Sequence, residues 1–441
     1  MTANRSDGDR SEGDINLSPA RAAWTAAHID ADTQALLDAD AEVFLHQALS
    51  TPCLDAVERA EGIHLIDVAG RRIMDFHGNS VHQVGYGHPR VVTAIAQQMA
   101  TLPFCPRRFT NRAAIDYATR LAVLAPGDLS RVLLAPSGTV AVGMALKLAR
   151  AATGRHKTVS MWGAFHGASL DAISVGGEAM FRRDAGPLLS GAEHVPPPGL
   201  ARRFFGDDER APERLADYID YVLEVQGDVA AVIAEPMRWT TVEPPPPGFW
   251  ARVRQSCDRH GTLLIFDEIP SGLGRCGSMF VSEQTGCVPD MLVLGKGLGG
   301  GIFPLAALLA REALNVAADR SLGHYTHEKS PVGCAAGLAT LDVIRDEGLV
   351  AHAAELGAAG LERLTRTLGQ RTGVRAVRGL GLYLGIELDD SEQAEAAMYR
   401  CLANGLNLKV GGGTVLTLCP PLTISAAQLD AALSIVEEAV A

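Results

Sequence analysis

Residues 263–277 read LLIFDEIPSGLGRCG, and residues 291–310 read MLVLGKGLGGGIFPLAALLA. Each opens on a short apolar run, 263–266 and 291–294, with the length and composition of a parallel strand buried on both faces. The first run ends in Asp267-Glu268 and the second in Gly295-Lys296-Gly297. A buried strand has no use for charge at its tip unless something beyond the tip uses it, and in an open α/β sheet ligands sit outside the carboxyl ends of the strands. An Asp and a Lys offered there together suit pyridoxal phosphate. The amine forms a Schiff base with the aldehyde, and the carboxylate keeps the pyridine nitrogen protonated so that the ring accepts electrons. A simpler reading, in which Lys296 opens a loop and Asp267 caps a helix, leaves the glycines at 295, 297, 299, 300 and 301 unexplained. Such a loop lets backbone approach a ligand closely. A phosphate-binding P-loop does not fit, because Gly297 rather than Ser or Thr follows the lysine and the glycines come after it.

The rest of the composition is consistent with a large α/β enzyme. The chain has 441 residues, 47% of them hydrophobic, enough for a large core and a second, smaller unit. A net charge of −12 argues against a nucleic-acid or anionic-membrane partner. The eight cysteines show no metal-ligand spacing and no disulfide framework, so no metal is expected and a reducing cytoplasm fits. Residues 1–14 are polar and charged, with no apolar signal segment, and read as a mobile tail. The run at 302–310 is interrupted by Pro304 and too short to span a membrane.

From residue 15 to about 60 the pattern is helical, with one face repeated over 31–49. Two short strands flank the turn at Ala69-Gly70, and a Gly/His-rich loop holding His82 leads to a helix opened by Pro89. In PFCPRRFTN (103–111), Arg107 and Arg108 precede a further helix. They read either as solvated surface arginines or as an anion site. The strand at 132–134 turns through Pro136-Ser137-Gly138-Thr139 into a long helix, the makings of a phosphate cradle or of an ordinary N-cap. Another strand ends in Phe165-His166-Gly167, where an aromatic ring stacks on a flat cofactor or simply fills core. Strand and helix alternate as far as the lysine loop, which predicts a mostly parallel sheet. After it comes a His/Thr-rich loop, GHYTHEKSP (323–331), and from about 341 the pattern changes to a separate α+β unit.

Taken together, SGT at 137–139, FHG at 165–167, DE-x-x-x-G-x-G-R at 267–275, GKG at 295–297 and Thr326 resemble the class III aminotransferases. The resemblance implies a fold type I pyridoxal-phosphate enzyme, with a mostly parallel seven-stranded sheet between helices and a smaller α+β C-terminal domain. It implies an N-terminal segment at 15–85, a large cofactor-binding domain at 86–338 and a small domain at 339–441. It also implies a homodimer with the active site at the interface and a small-molecule amine substrate. Lys296 would hold the cofactor, Asp267 its ring nitrogen, and Ile269 and Phe165, beside His166, its faces. Ser137, Gly138 and Thr139 would hold the phosphate, with Thr326 reaching in from the neighbouring subunit.

Three departures stand out: Pro270 where the family carries Gln, SGTVAV where it begins SGTEAN, and Thr417 where an Arg pairs a substrate carboxylate. Loss of such a pair costs on the order of a few kcal/mol. MDFHGNSVHQVGYGHP, PFCPRRFTN and GHYTHEKSP are similar to one subgroup, ammonia-lyases of phosphonate breakdown. That subgroup implies a phosphonate amino alcohol as substrate, with Arg107, Arg108, Lys329 and His82 as candidate substrate contacts. An ω-amine transaminase, a phospholyase or an aminomutase of the same fold is the alternative.

Overall fold

A computed structural model describes residues 17–48 and 50–440; the expected tail at 1–14 lies outside them. The chain divides into two compact units, one of 1–88, 240–242 and 351–441 and the other of 89–239 and 243–350. The second division falls after Val350, past the helix Pro331–Asp346, whereas the sequence pattern changes some ten residues earlier.

The larger unit is built on seven strands: β1 (Arg131–Ala135), β2 (Lys157–Met161), β3 (Ala192–Val195), β4 (Val229–Ala234), β5 (Leu263–Asp267), β6 (Met291–Leu294) and β7 (Ala306–Ala310). Their spatial order is β1-β7-β6-β5-β4-β2-β3. All neighbours run parallel except β7, which pairs antiparallel with both β1 and β6. The sheet is therefore mostly parallel, as the alternation of strands and helices predicts.

Every residue of β4, β6 and β7 is buried. Such continuous burial is what near-unbroken Val, Ile, Leu and Ala runs mean in a sheet covered on both faces. The helix Gly138–Thr153 buries Ala141, Val142, Met144, Ala145 and Leu148 in the same core as Ile233, Ile265 and Val293. In parallel register, Ala234 lies beside Phe266 and Asp267 beside Val293, so the ends of β4, β5 and β6 come level.

The smaller unit holds two four-stranded sheets. One orders Val57–Glu61, His64–Asp67, Arg72–Asp75 and Leu406–Asn407; the other Val374–Leu380, Tyr383–Leu388, Val415–Leu418 and Lys409–Gly411. Its last helix, Ala426–Ala439, starts at a capping box of Ser425 and Gln428.

Two expectations need correction here. The helix read over 31–49 ends at Val43, where Phe44 turns to extended backbone. Val43, Phe44 and Leu45 are 74%, 60% and 93% exposed, so Phe44 and Leu45 find no core among the described residues to hold a further helical turn. Residues 57–60, read as helical, belong to a strand, Val57–Glu61, paired with His64–Asp67.

Candidate active site

The two strand tips that carry charge do so for a local reason. Asp267, 2% exposed, closes β5. Its Oδ1 accepts from the Ile269 N–H at 3.1 Å, and Oδ2 lies 2.8 Å from Nδ1 of His166. The carboxylate is thus fixed from two sides, and it caps no helix. His166 is itself buried, and its other ring nitrogen, Nε2, is buried without a hydrogen-bond partner. Buried polar groups are nearly always paired, so an orphan on the ring that holds Asp267 points to a group supplied from elsewhere.

Lys296 follows β6 and takes φ +49°, the left-handed region that a lysine seldom enters. Strain of this kind gathers at functional sites, where surrounding structure enforces it. Its Nζ lies 5.5 Å from the ring centroid of Trp239, a buried side chain that follows β4.

The helix turn expected to cradle a phosphate lies on the same side. Ser137 is the N-cap residue of the sixteen-residue helix Gly138–Thr153, yet its side chain makes no cap hydrogen bond. The first-turn N–H groups and the positive end of the helix are then free to meet an anion. A Cβ on Gly138 would stand 2.7 Å from Cδ1 of Ile269, so only glycine lets that turn close on Ile269. At Gly167, with φ +127°, a Cβ would meet Thr139 Oγ1 at 2.4 Å. The Thr139 hydroxyl in turn lies 2.6 Å from that of Ser169. A Cβ on Gly295 would meet Cγ2 of the same Ile269 at 3.2 Å, so the segments at 137–139, 165–169, 267–269 and 295–296 form one neighbourhood at the ends of the strands. Phe165 packs on Phe181, with centroids 4.5 Å apart.

A second carboxyl stands close by. Glu235 follows β4 directly and is buried. Burial pushes it up to about 7; the His166 and Arg238 charges pull it down, and those of Asp267 and Glu178 push it further up. Neither Glu235 nor Trp239 was among the residues the sequence motifs single out.

The candidate substrate residues are placed differently. Arg107, Arg108, Thr326 and Lys329 are all exposed. Arg107 contacts His324 and pairs with Glu328 at 4.0 Å, and the ring of Phe104 meets His327 edge-on. Asn111 donates to the Lys329 carbonyl, and Lys329 sits at φ +56°. The structure thus joins the 104–111 and 324–329 segments. His82 belongs to the smaller unit, with a buried ring whose Nε2 lies 3.0 Å from the Asp75 carbonyl oxygen. In that unit Thr417 is also buried, and its hydroxyl donates to the Lys409 carbonyl.

The seven-stranded architecture and these strand ends define a pyridoxal-phosphate enzyme of the aminotransferase class. The profile of the aminotransferase class-III family matches residues 46–440, and the chain belongs to that family. It is 48% identical to the (R)-1-hydroxy-2-aminoethylphosphonate ammonia-lyase of Vibrio splendidus, over 98% of this chain and 95% of the relative. It is 35% identical to the acetylornithine aminotransferase of Methanopyrus kandleri, over 85% and 91%. An amine transaminase from an uncultivated Pseudomonas species, solved in its PLP-bound form, superposes with a TM-score of 0.84 at 30% identity, covering 90% of this chain and 98% of that one.

The residues present fit that cofactor: a fixed carboxylate for a ring nitrogen, an amine just past the next strand, and a helix end without a side-chain cap for a phosphate. Among the described residues, no group of side chains has the makings of a metal site, and no helix is long and apolar enough to cross a membrane.

Proposed function

We propose that this protein is an ammonia-lyase that converts (R)-1-hydroxy-2-aminoethylphosphonate to phosphonoacetaldehyde and ammonia. The observation that carries this reading is the 48% identity, over nearly the whole of both chains, to a lyase of that name. Thr417 supports it. Its buried hydroxyl is taken up by the Lys409 carbonyl, so it offers no cation to the carboxylate of an amino-acid donor, and a transaminase using glutamate would lose that pairing.

Pyridoxal phosphate, when bound, supplies a carbonyl that condenses with the substrate amine and a ring that accepts the electron pair left on the neighbouring carbon. The chain's residues do the rest. Asp267, oriented by His166, holds a negative charge against the ring nitrogen. Ser137, Gly138 and Thr139 bind the phosphate, and Ile269 and Phe165 flank the ring. Lys296 takes the proton from the carbon bearing nitrogen, acting as general base. The C–O bond at the neighbouring carbon then breaks with its electron pair, the oxygen is protonated, and water leaves. Tautomerisation and hydrolysis of the carbon–nitrogen bond return one water and release ammonia, so no keto acid is consumed.

Arg107, Arg108 and Lys329 are the cations offered to the phosphonate, with Thr326 completing the phosphate site across a homodimer; His82 is a further substrate contact. Eight cysteines free of disulfides support a cytoplasmic setting.

The test is ammonia release from the hydroxylated phosphonate amine with added pyridoxal phosphate and no keto acid. Multiple turnovers are expected, lost by roughly 10²–10⁴-fold or more in Lys296→Ala. No ammonia, with a cofactor absorption band that the amine bleaches and pyruvate restores, would return the chain to the transaminases.

A further inference from the structure

We propose that Trp239 is a positioning residue for Lys296: its indole face receives the amine in the protonated state and keeps it at the site between taking up a proton and giving it back. This rests on the reading of Lys296 as the general base, and adds that the same amine returns its proton to the departing oxygen. The Nζ lies 5.5 Å from the indole centroid, within the range of a cation–π contact, and the indole is 8% exposed. Indole is the strongest of the aromatic faces for a cation, and desolvation strengthens the contact.

The chemistry needs a partner of this kind. One nitrogen must first break a C–H bond, the electron pair staying on carbon and the proton moving to Nζ. It must then release that proton to the departing oxygen, which leaves with the C–O electron pair as water. A carboxylate against the amine would hold the proton too firmly for the second step, and a purely apolar wall would oppose the first. An aromatic face favours the cation by a smaller margin, so both states stay within reach. The charged and titratable groups on the flanking strand ends include Asp267 and Glu268 at the end of β5, the latter accepting from the Val281 and Ser282 N–H groups, Glu235 just past β4, His166 after β2, and Arg238, whose NH1 donates to the Trp162 carbonyl at 2.9 Å. Asp267 is held by His166 and the Ile269 N–H, and the indole presents a neutral face to the amine.

The chain has only five lysines, at 147, 157, 296, 329 and 409, so Lys296 can be followed singly. Limited acetic-anhydride labelling of the cofactor-free protein, read by peptide mass spectrometry across pH, compares wild type with Trp239→Phe and Trp239→Leu. The other four lysines serve as internal references. On the acid side, Lys296 in Trp239→Leu is expected to label about 2- to 10-fold faster than in wild type, with Trp239→Phe between them. The ratio should fall as pH rises and the amine becomes neutral in all three. A ratio independent of pH would mean that only access had changed and would overturn the proposal.

Fluorinated tryptophans incorporated at all four tryptophans weaken the ring's attraction for a cation with little change of shape. Labelling should then rise with each added fluorine, and no trend would also overturn the assignment, even if the leucine variant does not fold. Because no cofactor is present, failure here is separate from failure of the proposed reaction.

Discussion

The neighbourhood of Lys296 and the paired segments at 104–111 and 324–329 are built in opposite ways. Around Lys296 the polar groups are few, buried and fixed: Asp267 is held from two sides, His166 is enclosed, and Gly138 leaves no room beyond hydrogen at its Cα. Along the other two segments the cations are exposed, and the contacts of Arg107 are with His324 and Glu328 at the surface. A low-dielectric interior magnifies the worth of each charge, whereas solvent divides it among many weak partners. On the proposed function, the first region is the reaction centre and the second a binding rim whose members are individually replaceable.

The comparison can be broken most sharply at Asp267. Asp267→Asn keeps the shape and removes the charge, so turnover should fall by roughly 10²–10³-fold with little change in the KM for the amine. A mild loss would mean that the buried charge is not aimed at the chemistry. Next comes the cradle. Gly138→Ala puts a methyl group against Ile269, an overpacking worth about 1–3 kcal/mol, and should weaken cofactor affinity by about 5- to 100-fold. Ile269→Val in the same chain should recover part of that loss, and a double-mutant cycle measures the coupling.

A third prediction concerns pH. Burial pushes the Glu235 carboxyl up to about 7 from its ordinary 4.5. The fold thus favours the uncharged form, and that contribution to stability is full below about pH 4.5 and is lost as pH rises through about 7. Glu235→Gln, neutral throughout, should gain in melting temperature over wild type progressively from pH 5 to pH 8. A difference that stays constant with pH would remove Glu235 from the buried network. The smallest effects belong to the rim. Arg108→Ala and Lys329→Ala should each raise the KM for the phosphonate by about 2- to 10-fold and leave turnover nearly unchanged. If both leave KM unchanged, these side chains do not bind the substrate.

The sequence was most readable where burial and charge conflict. A strand such as β5 that is apolar to its last residue and then ends in Asp267 demands a ligand or a partner, and the same logic applied to Lys296. Glu235 at the end of the all-apolar β4 carried that signal too, but its role depends on His166 and Asp267 standing beside it, which needs the parallel register of β4 and β5. Trp239 gave no signal, since nothing in AEPMRW tells where the chain turns after β4. The antiparallel β7 lies in the apolar run at 302–310, which Pro304 interrupts right after the Gly-rich loop, and composition does not give the direction of a strand. Beyond Val43 the helical spacing misled, because periodicity reports which faces are apolar and not whether the chain supplies a core to bury them.

The central claim is that Lys296 is the residue that holds the cofactor, and with five lysines in the chain it can be tested directly. Borohydride reduction of the cofactor-loaded protein, followed by peptide mapping, should place the phosphopyridoxyl mass on Lys296 alone. The mass on Lys147, Lys157, Lys329 or Lys409, or on no lysine at all, would contradict the account.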